Sequence, residues 1–156
     1  MLFIDTESPE QTQSVSAGLA PFVRPGDVIS LTGDLGAGKT TFTQGLAEAL
    51  QCETRPTSPT FTIVHEYDCV LPLYHFDAYR LAGPEELERL GFEEYFYGQG
   101  LSVIEWGDKV ASLLPPETLN IEFTYSPDGD LQRKLKLEAT SGHWLKDIET
   151  FDHRRL

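Results

Sequence analysis

Gly33-Asp34-Leu35-Gly36-Ala37-Gly38-Lys39-Thr40 is the stretch that decides the fold. It satisfies G-x-x-x-x-G-K-[ST], a loop whose glycines let backbone amides approach phosphates, whose lysine reaches the outer phosphates and whose hydroxyl binds magnesium. The pattern carries weight only between a strand and a helix, and both flanks comply. Asp27 to Thr32 is short, apolar and β-branched, while Thr40 to Leu50 spaces Phe42, Leu46, Ala47 and Leu50 at helical intervals. The amides at the helix start, with the positive end of the helix dipole, then face an anion. The loop reads as a grip on a nucleoside triphosphate.

Upstream of the loop, Leu2 to Ile4 reads as a strand, and Ser8-Pro9-Glu10-Gln11 as a helix start with Ser8 as N-cap and Gln11 closing a capping box. That helix is expected to reach about Ala20, and Arg24-Pro25-Gly26-Asp27 to turn the chain into the strand that feeds the loop. Downstream, the prolines of Glu53 to Pro59 exclude a helix and predict a surface loop reaching Thr60. Phe61 to Tyr67 and Leu71 to Phe76 read as an antiparallel strand pair joined by Asp68-Cys69-Val70. Gly83-Pro84-Glu85-Glu86 opens a helix with Leu87, Leu90, Tyr95 and Phe96 toward the core and Gly91 as its weak point. Leu101 to Ile104 is a further strand, Leu119 to Tyr125 and Leu131 to Leu137 flank the hairpin signal Ser126-Pro127-Asp128-Gly129-Asp130, and a last helix is expected over about Gly142 to Phe151. Hairpins in the second half predict a mixed sheet around the phosphate-loop core in place of a purely alternating, doubly wound one.

The chain has 156 residues, 40% of them apolar and 24% charged, which predicts one compact domain over 1–156. Twelve Lys and Arg against 25 Asp and Glu leave a net charge of −13, which opposes any surface that must neutralise nucleic-acid phosphates. Met1 to Glu7 shows no basic region followed by a long apolar run, and nothing later approaches a bilayer span, so a cytoplasmic location without membrane contact is expected. Cys52 and Cys69 have neither metal-site nor C-x-x-C spacing and read as two reduced thiols.

Magnesium nucleotide chemistry also needs a carboxylate at a strand end and a group that orients the attacking water. Two acids follow mostly apolar strands: Asp77 after Leu73-Tyr74-His75-Phe76, and Glu105 after Ser102-Val103-Ile104. Either suits the metal on pattern alone; the bland readings are a turn cap for Asp77 and a surface salt bridge for Glu105. Thr60, at the end of the Pro-rich loop, reads either as an ordinary loop threonine or as a group that meets the terminal phosphate and magnesium and senses the nucleotide state.

Four segments then stand in order: GDLGAGKTT (33–41), SPTFTIVHEY (58–67), YHFDAYRL (74–81) with PEELERLG (84–91), and VIEWGDK (103–109). Together they resemble the TsaE (YjeE) family of small bacterial ATPases needed for making threonylcarbamoyladenosine in tRNA, and the resemblance covers almost the whole chain. It implies an α/β, P-loop NTPase-like three-layer fold with a mixed, partly antiparallel central sheet and a C-terminal β-hairpin. It implies ATP and Mg2+ as cofactors, with Leu35, Gly36, Ala37, Gly38, Lys39 and Thr40 as the phosphate site. Thr40 and Glu105 match the magnesium ligands, and Asp77 matches the acid acting on the water or the nucleotide. Thr60 matches a switch-like threonine and Trp106 the aromatic after the metal-binding glutamate, while Glu10 and Arg133 match nucleotide contacts. The partners implied are the TsaB and TsaD proteins, with tRNA reached only through them, which suits an acidic chain. Two departures stand out: Ala78 in place of a bulkier apolar residue, and Gly107 in place of a proline, a change expected to alter loop stiffness.

Other uses of a phosphate loop fit less well. A GTPase needs N-K-x-D for guanine, yet the lone asparagine, Asn120, precedes Ile121, and no D-x-x-G occurs. A small-molecule kinase commonly closes an Arg-rich lid, and here the arginines are scattered. A nucleotide-gated binding module, in which occupancy carries the signal, shares every feature of an ATPase except turnover.

Overall fold

A computed structural model describes residues 1–34, 36–56, 64–126 and 129–151. Its centre is a seven-stranded sheet of β1 (Leu2–Thr6), β2 (Val28–Gly33), β3 (Val64–Tyr67), β4 (Leu73–Asp77), β5 (Leu101–Glu105), β6 (Leu119–Tyr125) and β7 (Arg133–Glu138). The strands lie in the order β1-β7-β6-β2-β5-β4-β3. β6, β2, β5 and β4 run parallel, whereas β7 and β3 are antiparallel to their neighbours. This is the mixed sheet that the hairpin signals predict. Leu35, residues 57–63 with Thr60, the Pro127–Asp128 tip and residues 152–156 lie outside the described residues.

Burial explains which strands are central. β2 is buried from Val28 to Leu31, because helices cover both of its faces. β6 instead alternates: Leu119, Ile121 and Phe123 are buried, and Asn120, Glu122 and Thr124 are exposed. On one face, α1 (Pro9–Leu19), α2 (Lys39–Ala49) and α5 (His143–Thr150) bury Val15, Leu19, Phe42, Leu46, Trp144 and Ile148 against Ile29, Leu31, Val103 and Ile121. On the other, α3 (Pro84–Arg89), α4 (Glu93–Phe96) and a 3-10 segment, Gly107–Leu113, bury Leu87, Phe92, Phe96 and Val110 against Val28, Phe76 and Ile104. These are the three layers expected.

Local chemistry sets most boundaries as the sequence suggests. The amide of Gln11 donates to Ser8 Oγ at 3.2 Å, and the Gln11 side chain accepts from the amide of Glu7 at 2.7 Å, so the capping box closes one residue earlier than its usual form. Gly91, at φ +71°, divides the expected long helix into α3 and α4. Leu90, placed toward the core by periodicity, lies at that break and is 44% exposed. Gly107 is more than a softer proline. A Cβ built there falls 1.9 Å from Ser30 Oγ, so the close approach to β2 itself demands glycine.

The cysteines depart from expectation: Cys52 and Cys69 form a disulfide. Spacing alone does not reveal it, because backbone pairing makes it. The amide of Val70 donates to Leu50 O at 2.9 Å and that of Glu53 to Asp68 O at 3.3 Å, which lays the end of α2 beside the β3–β4 turn with the two Cα atoms 4.1 Å apart. No helix among the described residues is long and apolar enough to cross a membrane.

A latch joins α5 to the turn before β2. His143 Nδ1 stands 2.6 Å from Asp147 Oδ2, and its Nε2 stands 2.8 Å from Asp27 Oδ2. Hydrogen bonds to charged groups contribute about 1.5–3 kcal/mol each in mutational series. His143→Ala is therefore expected to lower unfolding stability by about 1–3 kcal/mol, read by denaturant titration. An unchanged midpoint would mean that the latch is decorative.

Candidate active site

The phosphate loop leaves β2 where only glycine fits. Gly33 has φ +141°, and a Cβ there would lie 2.6 Å from Phe123 O on β6. Gly36 and Gly38 also take positive φ, at +78° and +112°, and Gly38 is the N-cap from which α2 starts. With Ala37 buried and its amide bonded to Asp34 O at 3.0 Å, the loop curls over the first turn of α2. Gly36, Gly38 and the helix start share one concavity, the arrangement that suits a phosphate chain.

Parallel register brings the acids to the same place. β2, β5 and β4 end side by side, with Leu31 opposite Glu105 and Glu105 opposite Asp77. A cavity of about 330 Å3 opens there, lined by Gly36, Gly38, Lys39, Thr40, Asp77 and Glu105 among others. Thr40 Oγ1 donates toward both carboxylate oxygens of Glu105, at 3.0 Å each. Glu105 is 5% exposed, so it is no surface salt bridge. Asp77 accepts the amide of Tyr79 on Oδ1 at 2.9 Å. It thus caps a turn and still faces the cavity, and the two readings of this residue coexist.

Lys39 is held by carbonyls and a ring. Its Nζ donates to Gly33 O at 2.6 Å and to Asp34 O at 2.9 Å, and lies 4.0 Å from the centroid of Trp106. Burial pushes its ammonium below the ordinary lysine value, while Glu105, Asp34, Asp77 and Asp108 pull it back up. Trp106 reaches this position through an unusual backbone, φ +62° for a non-glycine residue, held by its amide bond to Leu31 O at 2.8 Å. Its other neighbour is Tyr79, with ring centroids 4.9 Å apart, and Lys109 lies over Tyr79 in turn.

The remaining expected residues divide. Arg133 Nε donates to Ala37 O at 3.2 Å, and its guanidinium stacks 4.3 Å from the ring centroid of Tyr125, so β7 braces the loop from behind. The same arginine lines a second, neighbouring cleft with Thr6, Tyr125 and Gln132. Glu10 is exposed in the first turn of α1 and is not among the residues lining either space. Leu35 and Thr60 lie outside the described residues.

His75 was not singled out by the sequence reading. It is fully buried on β4, and its Nε2 meets Glu105 Oε2. The signal was present: strand period 2 puts His75 on the same face as Asp77, the strand-end acid that pairs with Glu105.

The donor set fits magnesium, a hard cation that takes oxygen ligands and is bound through one or two carboxylates together with substrate phosphates. Among the described residues no group of three His, Cys, Asp or Glu side chains forms a closed cage. The donor set suits a cation shared with a phosphate chain better than a protein-only metal centre.

Sequence and fold comparisons place the chain among known proteins. Residues 6–135 match the family described as "Threonylcarbamoyl adenosine biosynthesis protein TsaE". The tRNA threonylcarbamoyladenosine biosynthesis protein TsaE of Bacillus subtilis is 46% identical over 140 residues, covering 89% of this chain and 86% of the relative. Its namesake in Treponema pallidum is 42% identical, covering 80% of this chain and 93% of the relative. Among solved structures, Bacillus subtilis YdiB superposes with a TM-score of 0.82 at 40% identity, covering 99% of this chain and 96% of that one. Residues 6–135 span both the phosphate loop and the strand-end acids that face it, so the chain belongs to the TsaE family.

Proposed function

We propose that this chain is a magnesium-dependent ATPase serving threonylcarbamoyladenosine formation in tRNA, a single ATPase domain over 1–156 that works in the cytoplasm by docking on the TsaB–TsaD pair. The observation that carries the reading is Thr40 with its hydroxyl 3.0 Å from both oxygens of Glu105, directly beside Lys39. A phosphate loop alone would support nucleotide binding; this hydroxyl–carboxylate pair adds the seat for a phosphate-bound cation.

Each residue has one task. Backbone amides from Leu35 to Thr40 cradle the phosphates, and Lys39 releases its two carbonyl partners to meet the outer ones. Thr40 and Glu105 would hold magnesium, which would supply neutralisation of the charge that develops on transfer. Asp77, with one oxygen committed to the Tyr79 amide, has the other to orient the attacking water. Arg133 fixes the loop and faces the nucleoside side, Glu10 is a more distant nucleotide contact, and Thr60 is the switch position that reads the terminal phosphate. A net charge of −13 makes the chain a poor partner for RNA, so tRNA is engaged only through TsaB and TsaD. No second reading, kinase or binding module, is favoured by a specific feature of the cavity.

Measuring ATP turnover with and without the TsaB–TsaD pair tests this reading. The expected result is slow hydrolysis alone, acceleration by the pair, and suppression of the stimulated rate by Asp77→Ala and Glu105→Ala. Full speed in isolation, or a fully active Glu105→Ala protein, would overturn it.

A further inference from the structure

We propose that His75 is a positioning residue for the metal seat: from beneath the sheet end it holds the Glu105 carboxylate in the orientation that presents Oε1 to the cation. The inference rests on Glu105 being the residue that holds magnesium. His75 is 0% exposed, and its Nε2 stands 2.5 Å from Glu105 Oε2. Facing a carboxylate, which accepts only, that nitrogen must be the one carrying the proton. Thr40 contacts both oxygens from the cavity side. Oε2 thus receives the ring N–H and shares the single Thr40 hydroxyl proton with Oε1, which leaves Oε1 the oxygen with more capacity to spare.

A purely architectural role explains His75 poorly. It stands between Tyr74 and Phe76 on a strand whose Leu73 and Phe76 are core residues, where an aliphatic side chain would pack without polar cost. Instead its Nδ1 is buried with no hydrogen-bond partner among the described residues. An orphaned buried nitrogen costs free energy, and such a group calls for a reason. Here the reason is the other end of the ring. A donor fixed to the sheet is the device that stops a buried carboxylate from rotating, and groups that orient metal ligands typically affect metal affinity ten- to a hundredfold.

The test is calorimetric titration of the full chain with ADP at varied Mg2+ concentration and in EDTA, on wild type, His75→Asn, His75→Gln and Glu105→Gln. An asparagine amide reaches only as far as the orphaned Nδ1, whereas a glutamine amide reaches the place of Nε2. His75→Asn is expected to raise the Mg2+ concentration needed to tighten ADP binding by about ten- to a hundredfold. ADP affinity in EDTA should be unchanged, and His75→Gln should restore the wild-type requirement to within a few-fold. A structural role alone would shift affinity in EDTA as well, or treat the two variants alike, and either outcome overturns the proposal. If Glu105→Gln leaves the Mg2+ requirement untouched, the fault lies with Glu105 as metal holder. If it raises the requirement while both His75 variants match wild type, the fault lies with His75. Because His75→Asn can fail to fold, 15N NMR of histidine-labelled wild type gives a second reading. The expected form carries its proton on Nε2, and a proton on Nδ1 removes the donor and with it the inference.

Discussion

Lys39→Ala is expected to lower ATP turnover, with the TsaB–TsaD pair present, by at least about a hundredfold, the scale on which removing one preorganised donor from a developing oxyanion acts. The geometry makes the dependence strong. Lys39 is 4% exposed, and Gly33 O and Asp34 O hold its ammonium at the edge of the cavity, where a phosphate chain can take over from the two carbonyls. Retention of turnover within a few-fold would show that the loop amides suffice and that the lysine is a structural plug.

The same substitution carries a stability signature of defined sign. Burial lowers the pKa of Lys39 from its ordinary 10.5. The charged form is therefore costlier in the folded chain than in the unfolded one. That cost is present in full at neutral pH and is relieved as pH rises through the folded pKa toward 10.5. Wild type should therefore gain stability relative to Lys39→Ala as pH is raised across that window, checked by paired denaturant titrations. A difference that is flat or falls with pH would contradict the assigned burial effect.

Opening the Cys52–Cys69 bridge, by reduction or by the double Cys→Ser substitution, is expected to cost about 3 kcal/mol, since the bond closes a loop of 17 residues in sequence separation. For a chain of this size that corresponds to a fall in melting temperature of roughly 6–12 °C. The loop so closed runs from the end of α2 past Thr60 to the β3–β4 turn, so the bridge shortens the tether of the proposed switch position. Coincident melts with and without reductant would refute the estimate. The cytoplasmic location proposed above calls for a second measurement, because cytosolic reductants keep most thiols open. Acid quenching and alkylation of cells will show which of the two melting curves describes the working protein.

The limits of sequence reading are visible in particular residues. Glycine spacing, Lys39 and Thr40 made the loop legible, because phosphate binding depends on local backbone freedom over a few consecutive positions. The two strand-end acids were legible as candidates, yet pattern could not say which faces Thr40. That followed from register, which sets Glu105 between Leu31 and Asp77. Gly107 looked like a loosened proline, and the reason for it lay in Ser30, on a strand far away in sequence. Leu90 fitted a helical stripe that Gly91 interrupts.

By itself, then, the sequence determined the phosphate loop, the caps and turns, the mixed character of the sheet and the residue types able to hold a magnesium nucleotide. The loop, caps and turns depend on contacts within a few positions along the chain, and the hairpin signals that mark a mixed sheet are likewise local. Only the tertiary structure decided the seating of His75 behind Glu105, the brace from Arg133 to Ala37 and the joining of Cys52 to Cys69. These pairings join segments that sequence periodicity treats independently, and they exist only because parallel register and packing carry distant backbone into contact.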